Sequence, residues 1–178
     1  MVPDLDLQLQ VAIKALVDNI VPAVDPANKV AVEQLHLTVA TLTMVRNRVP
    51  LARRFTRRLL EDDLLMAEAV RELIASSDIT GAAALAQAVA RGRDALADPE
   101  MDTHELENVR AHLTGTTVSA IVAAQGGAAA AALEKLVLNV ANRPLARHRA
   151  WCLPAGFEPD PSQIEPIETL LQQGTFMR

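Results

Sequence analysis

Residues 46–65 read RNRVPLARRFTRRLLEDDLL, and the fold turns on what this stretch is. Six arginines lie between Arg46 and Arg58, and three acids, Glu61, Asp62 and Asp63, follow in a row. Beneath the charges runs an apolar pattern. Ala52, Phe55, Leu59, Met66, Val70 and Leu73 recur at spacings that set them on one side of a helix reaching to about Ser76. Pro50 marks a break or kink just before it. On such a helix Arg53 and Arg57, and likewise Arg54 and Arg58, are four residues apart, so their guanidinium groups form a stripe beside the apolar face. Arg57 comes within reach of Glu61 and Arg58 of Asp62, and exposed pairs of this kind contribute only some tenths of a kcal/mol each. The stripe is therefore either a solvated, partly self-neutralised surface or a place for an anion or a partner.

The same helical period recurs on both sides of this stretch. Leu5, Leu9, Ala12, Ile13, Leu16 and Ile20 form a first stripe, and Val32, Leu35, Val39, Leu42 and Val49 a second. Asp25-Pro26 supplies a helix start for the latter. A turn falls around Ser77 to Gly81. Leu85, Val89 and Leu96 then share a face with Gly92, whose small size predicts close approach by a neighbour. Asp102 and Glu105 form a capping-box pair ahead of Leu106, Val109, Leu113, Ala120 and Ala124. Gly126-Gly127 interrupts this pattern as a turn or a kink. Leu133, Leu136, Val137 and Val140 complete the long segments, which end near Asn142, and Pro144 can open a short helix through Trp151. Residues 153–166, LPAGFEPDPSQIEP, contain four prolines and read as a stiff connecting arm. Ser162 and Glu165 are the expected cap of a last short helix with Ile167, Leu170 and Leu171. These readings predict an all-α protein: a bundle of five or six antiparallel helices over 1–153, with an extended C-terminal arm over 154–178.

Composition narrows the function. The 178 residues carry a formal net charge of −5 and only 2% aromatics, which makes nucleic acid an unlikely partner. With a single cysteine, Cys152, no intrachain disulfide can form, as expected for a reducing, cytoplasmic setting. The opening MVPDLDLQLQ lacks the basic and apolar regions of a signal peptide. The least polar run, 118–133, is broken by Gln125, Gly126 and Gly127 and predicts no membrane span.

Few constellations carry chemistry. Arg53, Arg54, Arg57 and Arg58, joined by Arg147 from a second basic group (Arg143, Arg147, His148, Arg149), are candidate anion- or partner-binding residues, because guanidinium forks match phosphates and carboxylates. Trp151 and Phe157 are candidate partner contacts, as aromatic anchors of the arm. Glu33 and His36 give half of a di-iron motif, and His104 and His112 lie too far apart along a helix to share an ion, so no metal is expected. The acids from Glu61 to Glu72 read as surface groups paired with arginines. Cys152 and His148 lack an oxyanion loop, and a buried inert thiol is the expectation. Neither a phosphate-binding glycine loop nor a nucleophile elbow occurs, so no catalytic residue and no cofactor are assigned. The expectation is a cytoplasmic accessory or regulatory protein of bacterial type, acting by protein–protein interaction as a homodimer joined through Ala- and Gly-rich helix faces. The alternative is a helical enzyme or sensor that holds a phosphorylated or CoA-like small molecule through the arginines.

Overall fold

The computed structural model describes residues 4–75, 81–156 and 158–173. It is 83% helical and has no strand among the described residues, as the periodicity predicts. The chain forms two compact units, one from 1–51 with 151–161 and the other from 52–150 with 162–178.

The first unit holds helices α1 (Leu5–Ala15), extended by a wide π turn over Leu16–Ile20, and α2 (Lys29–Arg48). The Asp4 carboxylate caps α1, accepting from the N–H groups of Asp6 at 3.0 Å and Leu7 at 3.4 Å. Asp25-Pro26 does not start α2. Asp25 instead accepts from the N–H of Ala27 at 2.9 Å, making a turn, and Asn28 caps the helix by accepting from Ala31 at 3.1 Å. The asparagine is better placed because its side chain reaches the third N–H of the first turn. The β-branched run LTVATLT stays helical, and the hydroxyls of Thr38, Thr41 and Thr43 each donate to the carbonyl four residues back at 2.8 Å. Arg46, in the last turn of α2, donates to Asp6, in the first turn of α1, at 2.7 and 2.9 Å, so the two helices fold back on each other as a hairpin.

The second unit holds α3 (Ala52–Ile74), α4 (Ala82–Ala97), α5 (Thr103–Ala123), α6 (Ala130–Val140), most of α7 (Asn142–Cys152) and α8 (Ile167–Gln172). Pro50 sits in a 3-10 turn, Val49–Leu51, between α2 and α3. Leu60, Val70, Leu85, Val89, Leu106 and Leu113 make up much of its core. Polar contacts fix the helix directions. The start of α3 meets the end of α4 (Arg57 with Leu96) and the approach to α5 (Arg53 with Met101), while Asp63 meets Arg110 and Thr114 further along. Thus α4 runs against α3, and α3 and α5 lie side by side in the same direction.

The buried arc of α3 is wider than the predicted stripe. Leu73 is 36% exposed, and Leu60, Leu64 and Ile74 are in the core. The reason is that α3 contacts α4, α5, α6 and α8, so one narrow stripe is not enough. Gly92 does mark a close approach: a Cβ there would lie 2.9 Å from Leu64 Cδ2. Gly126 has φ of 83° and forms a turn, not a kink, between α5 and α6. Most of the expected turn at 77–81 lies outside the described residues.

The capping box of α5 is complete. The N–H of Glu105 donates to Asp102 at 2.8 Å, and the Glu105 side chain accepts from the N–H of Asp102 at 3.4 Å. Asp102→Ala should lower stability by about 1 kcal/mol, read as a shift in a urea melt with unchanged slope.

Candidate functional site

The charged residues of α3 do not form an open stripe. Arg53 donates to the carbonyls of Pro99 and Met101, the latter at 3.2 Å, and Arg57 to those of Leu96 and, at 3.3 Å, Asp98. These carbonyls belong to the last turn of α4 and the loop beyond it, where a helix leaves its acceptors unsatisfied. Arg58 donates to the carbonyl of Leu171 at 3.0 Å and to Glu61. Arg54 alone of the four is exposed with no partner among the described residues. Among the described residues the salt bridges run otherwise than expected one turn apart: Arg58 pairs with Glu61, and Asp62 with Arg147. Arg57 is instead held by carbonyls at the end of α4, whose partial negative charge suits a cation, while Asp62 is turned inward to Arg147 and leaves Arg58 to Glu61, three residues on.

Asp62 is the residue whose surroundings were least visible. It was expected on the surface and is 2% exposed, paired with Arg147 of α7, itself 2% exposed. Arg147 also donates to the carbonyls of Leu170 at 3.4 Å and Gln173 at 3.3 Å. Its guanidinium is thus enclosed between α3, α7 and α8. Burial pushes the Asp62 carboxyl above the ordinary range, against the pull of Arg147 and Arg143. Burial raises Asp63 as well, opposed by Arg110 and the Thr114 hydroxyl, which donates to it at 3.0 Å. The Oδ1 of Asp62 and Nε of Arg110 are buried without a hydrogen-bond partner. Two clefts of about 270 and 290 Å³ adjoin this group, the first walled by Met66, Thr117, Val137 and Val140 beside the two aspartates, the second by Leu65, Leu136, Asn139 and Arg143 beside Asp62.

The other candidates fall elsewhere. The ring of Trp151 is half-buried beneath the Arg48 guanidinium, 5.5 Å from its centroid, and its carbonyl accepts from Arg48 Nε at 3.0 Å. Phe157 lies outside the described residues. His148 meets Phe55 edge to face, with ring centroids 5.6 Å apart, and burial pushes its imidazole down. Cys152 is exposed, not buried as expected, because it ends α7 on the side away from the core residue Ala150. Glu68 pairs with Arg93 of α4. No group of three or more metal-ligating side chains occurs among the described residues. No helix described is long and apolar enough to cross a membrane.

In chemical terms α3 carries a row of acid–arginine–carbonyl relays. Glu61 orients Arg58 and Asp62 orients Arg147, and each arginine then grips a carbonyl near the end of α8. Comparison with known proteins finds no family model that matches this chain, and no curated protein or solved structure similar to it.

Proposed function

We propose that this protein acts by protein–protein contact, as an accessory or regulatory module that pairs with a second copy of itself through the α1–α2 hairpin. What supports this reading is that neither helix buries a single residue, although both are apolar on two sides. Leu9, Ile13 and Leu16 of one, and Val32, Leu35 and Val39 of the other, are half-buried within the hairpin. On α2 a second row, Val30, Leu37 and Val45, is 70%, 50% and 41% exposed. The three stand on one side of α2, one apolar residue every second turn with Gln34 and Thr41 between them, and form an exposed apolar row. Two helices with an exposed apolar row complete a four-helix arrangement when doubled. This moves the contact away from the Gly-rich faces expected at first, since Gly92 is turned into the core of the second unit.

The arginines give little support to a phosphate- or CoA-binding function, because three of the four on α3 are engaged with carbonyls. The test is oligomeric mass. Sedimentation of the full chain should give twice 19.1 kDa, and Leu37→Glu with Val45→Glu should shift it to the monomer with helicity retained. A wild-type monomer at high micromolar concentration would remove this reading.

A further inference from the structure

Asp62 and Asp63 are neighbours on α3, and both stand in the wall of the first cleft, which α3, α5 and α6 enclose. The Asp62 Oδ2 accepts from Arg147, and the Asp63 Oδ2 from Thr114 at 3.0 Å and Arg110 at 3.4 Å. The Asp62 Oδ1 is different: it is buried with no hydrogen-bond partner, in a residue 2% exposed. A buried acceptor left unmet costs free energy, so this one calls for a donor. The hydroxyls that line the cleft do not supply it. Thr114 donates to Asp63 and to the Arg110 carbonyl, the latter at 2.9 Å, and Thr117 donates to the Leu113 carbonyl at 2.7 Å.

The rest of the cleft sets the size and character of the donor. Met66, Val118, Ile121, Val137 and Val140 make its walls mostly aliphatic. Val118 is 53% exposed, so the cleft reaches the surface and can be entered from solvent. Its volume of about 270 Å³ far exceeds the roughly 30 Å³ that one water occupies, and aliphatic walls do not offer water the two to four polar partners it needs. An apolar concavity with a few polar groups that fix orientation is the usual make-up of a small-molecule site.

Charge narrows the choice. Arg147 matches Asp62, Arg110 matches Asp63, and Arg143 also acts on Asp62. An ammonium head would add a fourth cation here, and a carboxylate head would face two aspartates; burying either unmatched is costly. A hydroxyl brings one donor and little further polarity, whereas an amide brings a carbonyl that needs a donor of its own. We infer that the first cleft binds a small uncharged aliphatic alcohol, whose O–H donates to Asp62 Oδ1 and whose chain lies along Met66, Ile121 and Val137. The second cleft shares Asp62 and Val140 but has Asn139 and Arg143 in its walls, and is the more polar of the two. This site does not depend on the apolar row of α2.

The probes are 1-hexanol, its isomer methyl pentyl ether, hexylammonium and hexanoate. Each is titrated into the full chain with carbon-13-labelled methyl groups and followed by NMR. With 1-hexanol the methyl signals of Met66 and Val137 should shift and saturate, while those of Leu85, which does not line the cleft, should not. The other three probes should each bind about tenfold more weakly or worse, the usual effect of losing a hydrogen bond to a charged group or of burying an unmatched charge. Val137→Trp fills the cleft and should abolish the shift at Met66. Asp62→Leu with Arg147→Met removes the acceptor together with its partner, strands no charge, and should bind alcohol and ether alike. The absence of a saturable shift at Met66 and Val137 would mean that nothing larger than water meets Asp62, and overturns the inference. So does ether, hexylammonium or hexanoate binding as tightly as the alcohol, undiminished alcohol binding in Val137→Trp, or a preference for alcohol retained by the double variant. Should either variant fail to fold, the ranking of the four probes on the wild-type chain decides alone.

Discussion

Arg147→Met should lower stability by roughly 3–5 kcal/mol, the usual consequence of removing one member of a buried ion pair. The pair joins two side chains that are each 2% exposed. Without the guanidinium, Asp62 is a buried carboxylate whose Oδ1 already lacks a partner, and the carbonyls of Leu170 and Gln173 lose their donor. The pH dependence has a definite sign. A carboxyl whose folded pKa is raised binds its proton more readily in the folded state than in the unfolded chain. Its destabilising effect is therefore present above the folded pKa and is relieved as pH falls through that value. Asp62 is already raised by burial, and the variant removes the arginine that opposes the rise. Urea melts of Arg147→Met should thus recover towards wild type on mild acidification. Adding Asp62→Leu should restore most of the loss at neutral pH, since apolar replacement of a whole buried pair is often neutral or better. Equal losses in the single and double variants would mean that the ion pair is not what Arg147 contributes.

Gly92→Val should have a cost of about 3 kcal/mol or more, at the upper end for overpacking a core. The first added carbon would already stand 2.9 Å from Leu64 Cδ2 and 3.5 Å from Leu113 Cδ2, between α4 and both of its neighbours. Leu64 and Leu113 are 6% and 0% exposed, so neither can swing out to make room for the two further methyl groups of valine. Alanine separates this effect from backbone preference. Its single methyl crowds the flexible Leu64 side chain, at 2.9 Å from Cδ2 and 3.3 Å from Cγ, and is in ordinary contact with Leu113; the small shift of Leu64 this requires is offset by the preference of a helix interior for Ala over Gly, about 1 kcal/mol, so Gly92→Ala should stay within about 1 kcal/mol of wild type. Thermal melts of the three proteins should rank wild type close to alanine and valine far below. A valine variant as stable as wild type would mean that α3, α4 and α5 are not packed this closely.

These two positions show what the sequence reveals and what it conceals. Gly92 was legible because it interrupts an apolar face where only a close neighbour favours a residue without a side chain. The helices were legible because their period of burial is a property of each segment alone. Asp62 was not, although a trace of it was present. The stripe on α3 jumps seven residues from Leu59 to Met66, and a helix turns position 62 or 63 into that gap. A charged residue on a buried face requires a partner, and that partner, Arg147, is 85 residues away. Separation in sequence also hid the carbonyls that Arg53, Arg57 and Arg58 hold, since any residue can supply a carbonyl and no motif marks it. Local pairing with Glu61 and Asp62 was the pattern spacing offered, and tertiary structure replaced most of it.

The arginines of α3 and α7 fasten helix ends within the protein. Their Nε–H groups report on this directly by nitrogen-15 NMR. Arg53, Arg58 and Arg147, each of which donates through Nε, should give separate signals that exchange slowly with water, with Arg147 slowest and Arg54 exchanging fast. None of the three should move when pyrophosphate is added to millimolar concentration. Three signals that exchange as fast as that of Arg54 and shift together with pyrophosphate would mean that the arginines do not hold these helix ends and would return the stripe to the role of an open anion site.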